Sequence, residues 1–121
     1  MGVRIVEIDQ IRIAALDDEG LLLASEQAAL DILGEAYGED FHLLAIPKAR
    51  LAADFLVLRT GLLGAVTQKF VNYQVRAAFV GDFSAEAAAS NALRDFIRET
   101  NAGGTIPFAG NLEEAARLSR R

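Results

Sequence analysis

The 121-residue chain has no cysteine, one histidine and two prolines. Without cysteine there is no disulfide, zinc–thiolate site, iron–sulfur cluster or thiol nucleophile, and the absence fits a reducing compartment. The lone histidine, His42, excludes a two-histidine metal site. Neither a metal nor a cofactor is expected. Pro47 and Pro107 fall near expected strand ends. No linker, repeat or low-complexity stretch interrupts the chain, so residues 1–121 are expected to form a single α/β domain. No apolar run approaches the ~18 residues of a membrane span; Phe55–Leu58 and Ala77–Val80 are typical. The N-terminus alternates apolar and polar residues and lacks a signal-peptide core, which gives a cytoplasmic expectation.

Basic residues are scarce at the start of the chain. Residues 1–45 carry two basic and ten acidic side chains, a net of −8. Residues 46–121 carry ten and seven, a net of +3, for −5 overall. An acidic domain without a basic stripe is poorly suited to nucleic acid. Its acidic half reads as a solvated face or as a surface for a basic partner. Apolar residues make up 52%, above the ~45–50% usual for a soluble domain. Part of the excess is alanine. The rest suits a thoroughly buried sheet, a homodimer interface or a ligand pocket.

Period-two alternation from Val3 to Leu16 predicts a hairpin turning at Asp9-Gln10. After the acidic loop Asp17-Asp18-Glu19-Gly20, Ser25 can cap a helix that places Ala29, Ile32, Leu33 and Ala36 on one face and stops at Gly38. Phe41–Ile46 and Val75–Val80 are apolar on both faces, as in a buried parallel sheet. Between them a helix is expected from about Leu51 to Tyr73, with Leu62, Val66, Phe70 and Tyr73 in one stripe. Ser84 can cap a long helix to about Thr100, with Ala89, Leu93, Phe96, Ile97 and Thr100 inward and Gly103-Gly104 as its stop. A short strand over Thr105–Ala109 and a helix capped by Asn111 complete the order β-β-α-β-α-β-α-β-α. Such alternation predicts a mixed, mostly parallel sheet with helices packed on it.

Chemistry-bearing residues are few. His42 sits in an apolar strand, which points to a structural role, and no nucleophile-elbow sequence supports a serine triad. Two loops follow the carboxyl ends of expected parallel strands, where open α/β sheets bind ligands: Pro47–Thr60 and Gly81–Ser84. Asp82 and Ser84 read as a turn and a helix cap, or as ligand contacts. On the long helix Arg94 and Asp95 lie on adjacent stripes, either as a solvated face or as anchors for a docked protein. Thr60, just before Gly61 and Leu62, can present its hydroxyl at the positive end of a helix, where a phosphate would be stabilised.

The element order and Thr60-Gly61-Leu62 resemble the STAS-like, anti-sigma-factor-antagonist superfamily, whose regulatory members carry Asp-Ser-Ser-Gly-Leu with a phosphorylatable serine at that place. Here Leu58 and Arg59 stand where that motif has Asp and Ser, so its acidic residue is missing. A resemblance covering nearly the whole chain is carried by Arg59-Thr60-Gly61, Gln68-Lys69-Phe70, Asn72-Tyr73, Val80-Gly81-Asp82-Phe83-Ser84 and Leu93-Arg94-Asp95-Phe96-Ile97. These look like an uncharacterised family of small bacterial proteins, a domain of unknown function. The STAS-like resemblance implies binding of apolar ligands or membrane association in some members.

The leading expectation is a non-enzymatic regulatory module that binds another protein, or a second copy, near Thr60 and the Arg94/Asp95 face. The alternative is a carrier of an apolar or amphipathic small ligand, its pocket lined by Phe55, Leu58, Leu62 and Phe70. The third is a small enzyme in which Arg59, Gln68, Asn72 and Arg94 orient an anionic substrate beside Asp82 as base.

Overall fold

The computed structural model describes residues 3–103 and 106–119. Gly104 and Thr105, at the expected helix stop and the start of the last strand, lie outside the described residues. The described chain is α/β, with five strands in one mixed sheet, ordered β1-β2-β3-β4-β5, and five α-helices. Strands β1 (Val3–Ile8) and β2 (Ile11–Leu16) pair antiparallel from Val3↔Leu16 to Ile8↔Ile11. Their turn residues Asp9 and Gln10 both have positive φ, +52° and +70°. Two left-handed residues match the twist of a two-residue hairpin, which is why the turn closes without glycine.

The next three strands run parallel: β3 (Leu43–Pro47) against β2, β4 (Ala77–Val80) against β3, and β5 (Phe108–Ala109) against β4. Alternation across the pleat divides the core. One face, with Leu16, Leu44, Ile46, Phe79 and Phe108, packs against helices α1 (Glu26–Glu35), α2 (Leu62–Asn72) and α4 (Asn91–Gly103) through Ile32, Val66, Phe70 and Leu93. The other, with Ala15, Ala45, Ala78 and Ala109, meets Ala115 and Ala116 of α5 (Leu112–Ser119). Small side chains on both sides let this short helix lie close on the strands. The alanine-rich composition thus makes an interface.

Local capping explains several boundaries. Ser25 Oγ accepts from the Ala28 N–H at 3.1 Å and starts α1. Asn111 Oδ1 accepts from the Glu114 N–H while Glu114 Oε1 accepts from the Gly110 N–H, a reciprocal cap at the start of α5. Helix α1 ends at Glu35, three residues before the left-handed Gly38.

Three elements differ from expectation. The helix expected from Leu51 is present only as α2; residues 51–57 are irregular and Leu58–Thr60 form a 3-10 turn. Leu51 is drawn off by a parallel bridge to Leu23, and Phe55 is wholly buried, holding the segment against the core. The buried stripe of α2 is Leu63, Val66 and Phe70; Tyr73 lies past its end and is exposed. The long helix is two helices, α3 (Ser84–Ala89) and α4, separated by an extended Ser90 with φ −141° and ψ 111°. Ser90 Oγ accepts from the Leu93 N–H at 3.1 Å, so the serine starts α4 instead of continuing α3. Strand β3 begins at Leu43, after an exposed His42 whose backbone N–H and Nδ1 bond the backbone of Arg12.

Candidate functional site

The carboxyl ends of β3 and β4 open into a groove of about 630 Å³. One wall is the irregular segment after β3, contributing Leu51, Leu56, Val57, Leu58 and Arg59. The other is the junction of α3 and α4, contributing Glu86, Ala89, Ser90 and Leu93. Both differences from the expected helices therefore shape the groove. An α-helix through 51–61 would replace the first wall, and an unbroken 84–100 helix would remove the second.

Lys48, the first residue after β3, closes one end. Its Nζ is 2.7 Å from Glu86 Oε2, donates to the Asp82 carbonyl at 2.7 Å, and lies 5.5 Å from the centre of the Phe83 ring. Gly81 makes this approach possible. Its φ is +155°, and a Cβ there would sit 2.7 Å from Lys48 Cβ. Phe83 belongs to an aromatic chain in the core, stacking edge-on to Phe108 at 5.0 Å, which meets Phe79 at 5.1 Å, which meets Phe55 at 5.4 Å. The Lys48 hydrogen bond holds the Glu86 carboxyl below its ordinary range, helped by the residue's own backbone N–H. Glu86 Oε1 is enclosed and has no hydrogen-bond partner among the described residues.

Asp82 accepts from the Ser84 hydroxyl at 2.6 Å and the Ser84 N–H at 2.9 Å, in that order the main causes that lower its pKa. Both are a turn-and-cap arrangement at the start of α3. A carboxylate held in this way is a weaker base than an ordinary aspartate.

The groove wall is anchored from behind by Arg50, the one charged side chain with no exposure among the described residues. Its Nε donates to the Leu21 carbonyl at 2.7 Å, Nη1 to the Asp17 carbonyl at 3.0 Å and Nη2 to Glu35 Oε2 at 2.6 Å. The acidic loop is thus folded over a guanidinium. Gly20, φ +142°, lies against it, and a Cβ there would be 2.7 Å from Arg50 Cζ.

Of the residues singled out in the sequence, Leu58 and Arg59 line the groove, and Asp82 and Ser84 sit behind its Lys48 end. Thr60 is exposed at the end of the 3-10 turn; its hydroxyl donates to the Val57 carbonyl at 2.9 Å and accepts from the Leu62 N–H at 3.2 Å. Gln68 and Asn72 bond one another at 2.9 Å on the exposed side of α2. Arg94 and Asp95 are paired at 3.6 Å on the exposed side of α4, where Asp95 also meets Arg98 at 3.4 Å. None of these five lines the groove. Phe55 and Phe70 are enclosed in the core, and Leu62 is half-buried on it. Ser90, on the same helix stripe as Arg94 in the sequence, lines the groove, while Lys48, Glu86 and Arg50 carry no signal of their own there. Lys48 and Arg50 lie in a loop that the strand-end rule marks; Glu86 and Ser90 look like helix surface until the helix breaks.

Taken together, the mixed sheet with helices on both faces and an apolar groove at the strand ends with one ionic corner define a small α/β domain. The chain belongs to the family described as Domain of unknown function (DUF4180), whose model matches residues 8–118. No curated protein and no solved structure matches it significantly. Among the described residues no helix is long and apolar enough to cross a membrane, and no group of three or more His, Asp or Glu side chains could hold a metal ion.

Proposed function

We propose that this protein is a non-enzymatic binding module for an amphipathic small molecule with an anionic end. The observation that carries the reading is the groove itself. Its volume lies within the ~300–1,000 Å³ of small-molecule sites, and Leu51, Leu56, Leu58 and Leu93 give it an apolar lining. The apolar body of the ligand packs there. Arg59 reaches the same groove and has no hydrogen bond or ion pair among the described residues, which suits it to an anionic group. Lys48 is already engaged by Glu86 and orders the closed end.

The test is displacement of a fluorescent medium-chain carboxylate from the intact protein. Ala89 is exposed and lines the groove, so Ala89→Trp fills it without entering the core. Binding should fall at least ~10-fold in this variant, while Arg59→Ala weakens the carboxylate ~10-fold but leaves the corresponding alcohol unchanged. Failure of the unaltered protein to bind either probe overturns the reading.

A second reading is a regulatory module that docks a protein partner, as the STAS-like resemblance implies. Its support is the exposed Thr60 hydroxyl at the positive end of α2, immediately after the groove residues Leu58 and Arg59. Under it, Thr60→Glu changes capture of that partner and leaves carboxylate binding intact.

A further inference from the structure

A second cavity, of about 290 Å³, lies at the opposite end of the sheet, by the amino ends of β3 and β4. Gln10, Ile11, His42, Leu43, Arg76 and Ser119 line it. Three side chains of this set can donate into it. Nδ1 of His42 accepts the Arg12 backbone N–H at 2.9 Å, so the ring proton of the neutral imidazole sits on Nε2 and makes that nitrogen a donor. Arg76 uses one terminal nitrogen on the Ser119 carbonyl, at the last residue of α5, and so offsets the negative end of that helix. The rest of its guanidinium fork remains available. The Ser119 hydroxyl is enclosed and has no hydrogen-bond partner among the described residues. A native protein rarely leaves such a hydroxyl unpaired unless something else supplies the partner.

The geometry points to this cavity as a site for a compact oxyanion of the phosphate type, held by the Arg76 guanidinium, His42 Nε2–H and the Ser119 hydroxyl. Three donors suit the several oxygens of a phosphate better than a carboxylate, which has two. The guanidinium supplies the charge and the fork. The site is separate from the groove, with which it shares no lining residue.

Because His42 is the only histidine, one imidazole signal reports the site directly. The intact protein is titrated with sodium phosphate at fixed pH, the His42 resonances being followed by NMR, with sodium chloride at matched ionic strength as control. A saturating shift with phosphate and none with chloride is expected. Glycerol phosphate distinguishes the sources: equal saturation means the phosphoryl group of a larger molecule is recognised, and saturation by phosphate alone means the free ion is the ligand. Arg76→Gln keeps an amide that can serve the Ser119 carbonyl but removes the charge, and should weaken phosphate ~10-fold or more. Ser119→Ala deletes an unpartnered hydroxyl, so the fold should be at least as stable while phosphate weakens ~2–10-fold. No saturating shift in the unaltered protein overturns the proposal, as does a shift that chloride reproduces or one that both variants retain at full affinity.

Discussion

Arg50 shows how one side chain organises a surface far larger than itself. Its guanidinium is wholly buried yet meets only one carboxylate, Glu35; the other donors go to the carbonyls of Leu21 and Asp17. The loop that carries Asp17, Asp18 and Glu19 therefore leaves its charges in solvent and turns its backbone inward. Replacing Arg50 with Met keeps most of the volume but strips two carbonyls of their partner and leaves Glu35 unpaired. Glu35 is partly exposed, so the ionic part is discounted for solvent screening. A loss of about 2–4 kcal/mol is expected in chemical denaturation. The same variant should loosen the Leu23–Leu51 bridge, seen as faster amide exchange at Leu23, whose N–H is bonded to the Arg50 carbonyl. A loss below about 0.5 kcal/mol would show that the arginine is not the staple it looks to be.

At the scale of elements, the break between α3 and α4 is what makes the groove. Apolar periodicity runs through Ser90 without a gap, because Leu93, Phe96 and Ile97 continue the spacing of a helix begun at Ser84. Periodicity reports which face is buried, not whether the axis is continuous. Serine is the one signal of the break, since its hydroxyl competes for a backbone N–H and favours a cap over a helix interior. Ser90→Ala should cost about 1 kcal/mol in thermal or urea unfolding. It should also weaken the carboxylate probe by more than this stability loss explains, since α3 and α4 are then free to merge across the groove. Unchanged probe binding would mean that tertiary packing alone holds the break. The irregular 51–57 segment has the same logic. Its residues have ordinary helix propensity, but burial of Phe55 and the bridge at Leu51 together outweigh that weak local preference.

Across the whole molecule, charge and stability are linked through the groove's ionic corner. Glu86 is held below its ordinary pKa first by Lys48, and Asp82 first by the Ser84 hydroxyl. In the unfolded chain these carboxyls titrate near ~4.3 and ~3.9. Because the folded values are lower, the unfolded state takes up protons first as the pH falls. Their contribution to stability is therefore complete above about pH 5 and disappears as the pH drops through the folded values. The unfolding midpoint should be flat in this respect between about pH 5 and 7 and decline below, with a shallower decline in Glu86→Gln. An identical acid limb in the variant and the unaltered protein would remove Glu86 from the account.

What the amino-acid sequence determines by itself is whatever depends on neighbours along the chain. Alternation from Val3 to Leu16, the continuous apolar runs, the caps at Ser25 and Asn111 and the loops after β3 and β4 are all local statements, and the mostly parallel sheet follows from their order. The site was legible to the extent of its address: both loops flagged by the strand-end rule meet at Lys48 and Asp82, and Leu58 and Arg59 do line the groove. Its composition was not. Glu86 becomes a groove residue only when β4 and α3 carry it against Lys48, 38 positions earlier in the chain. Arg50 becomes buried only when the acidic loop, some thirty residues before it, folds over its guanidinium. Propensity and periodicity act within a few residues, whereas ion pairs, bridges and burial act between segments whose distance in space the chain itself does not encode locally. That is why the order of the elements is legible in the sequence while the breaks that open the groove appear only in the packed structure.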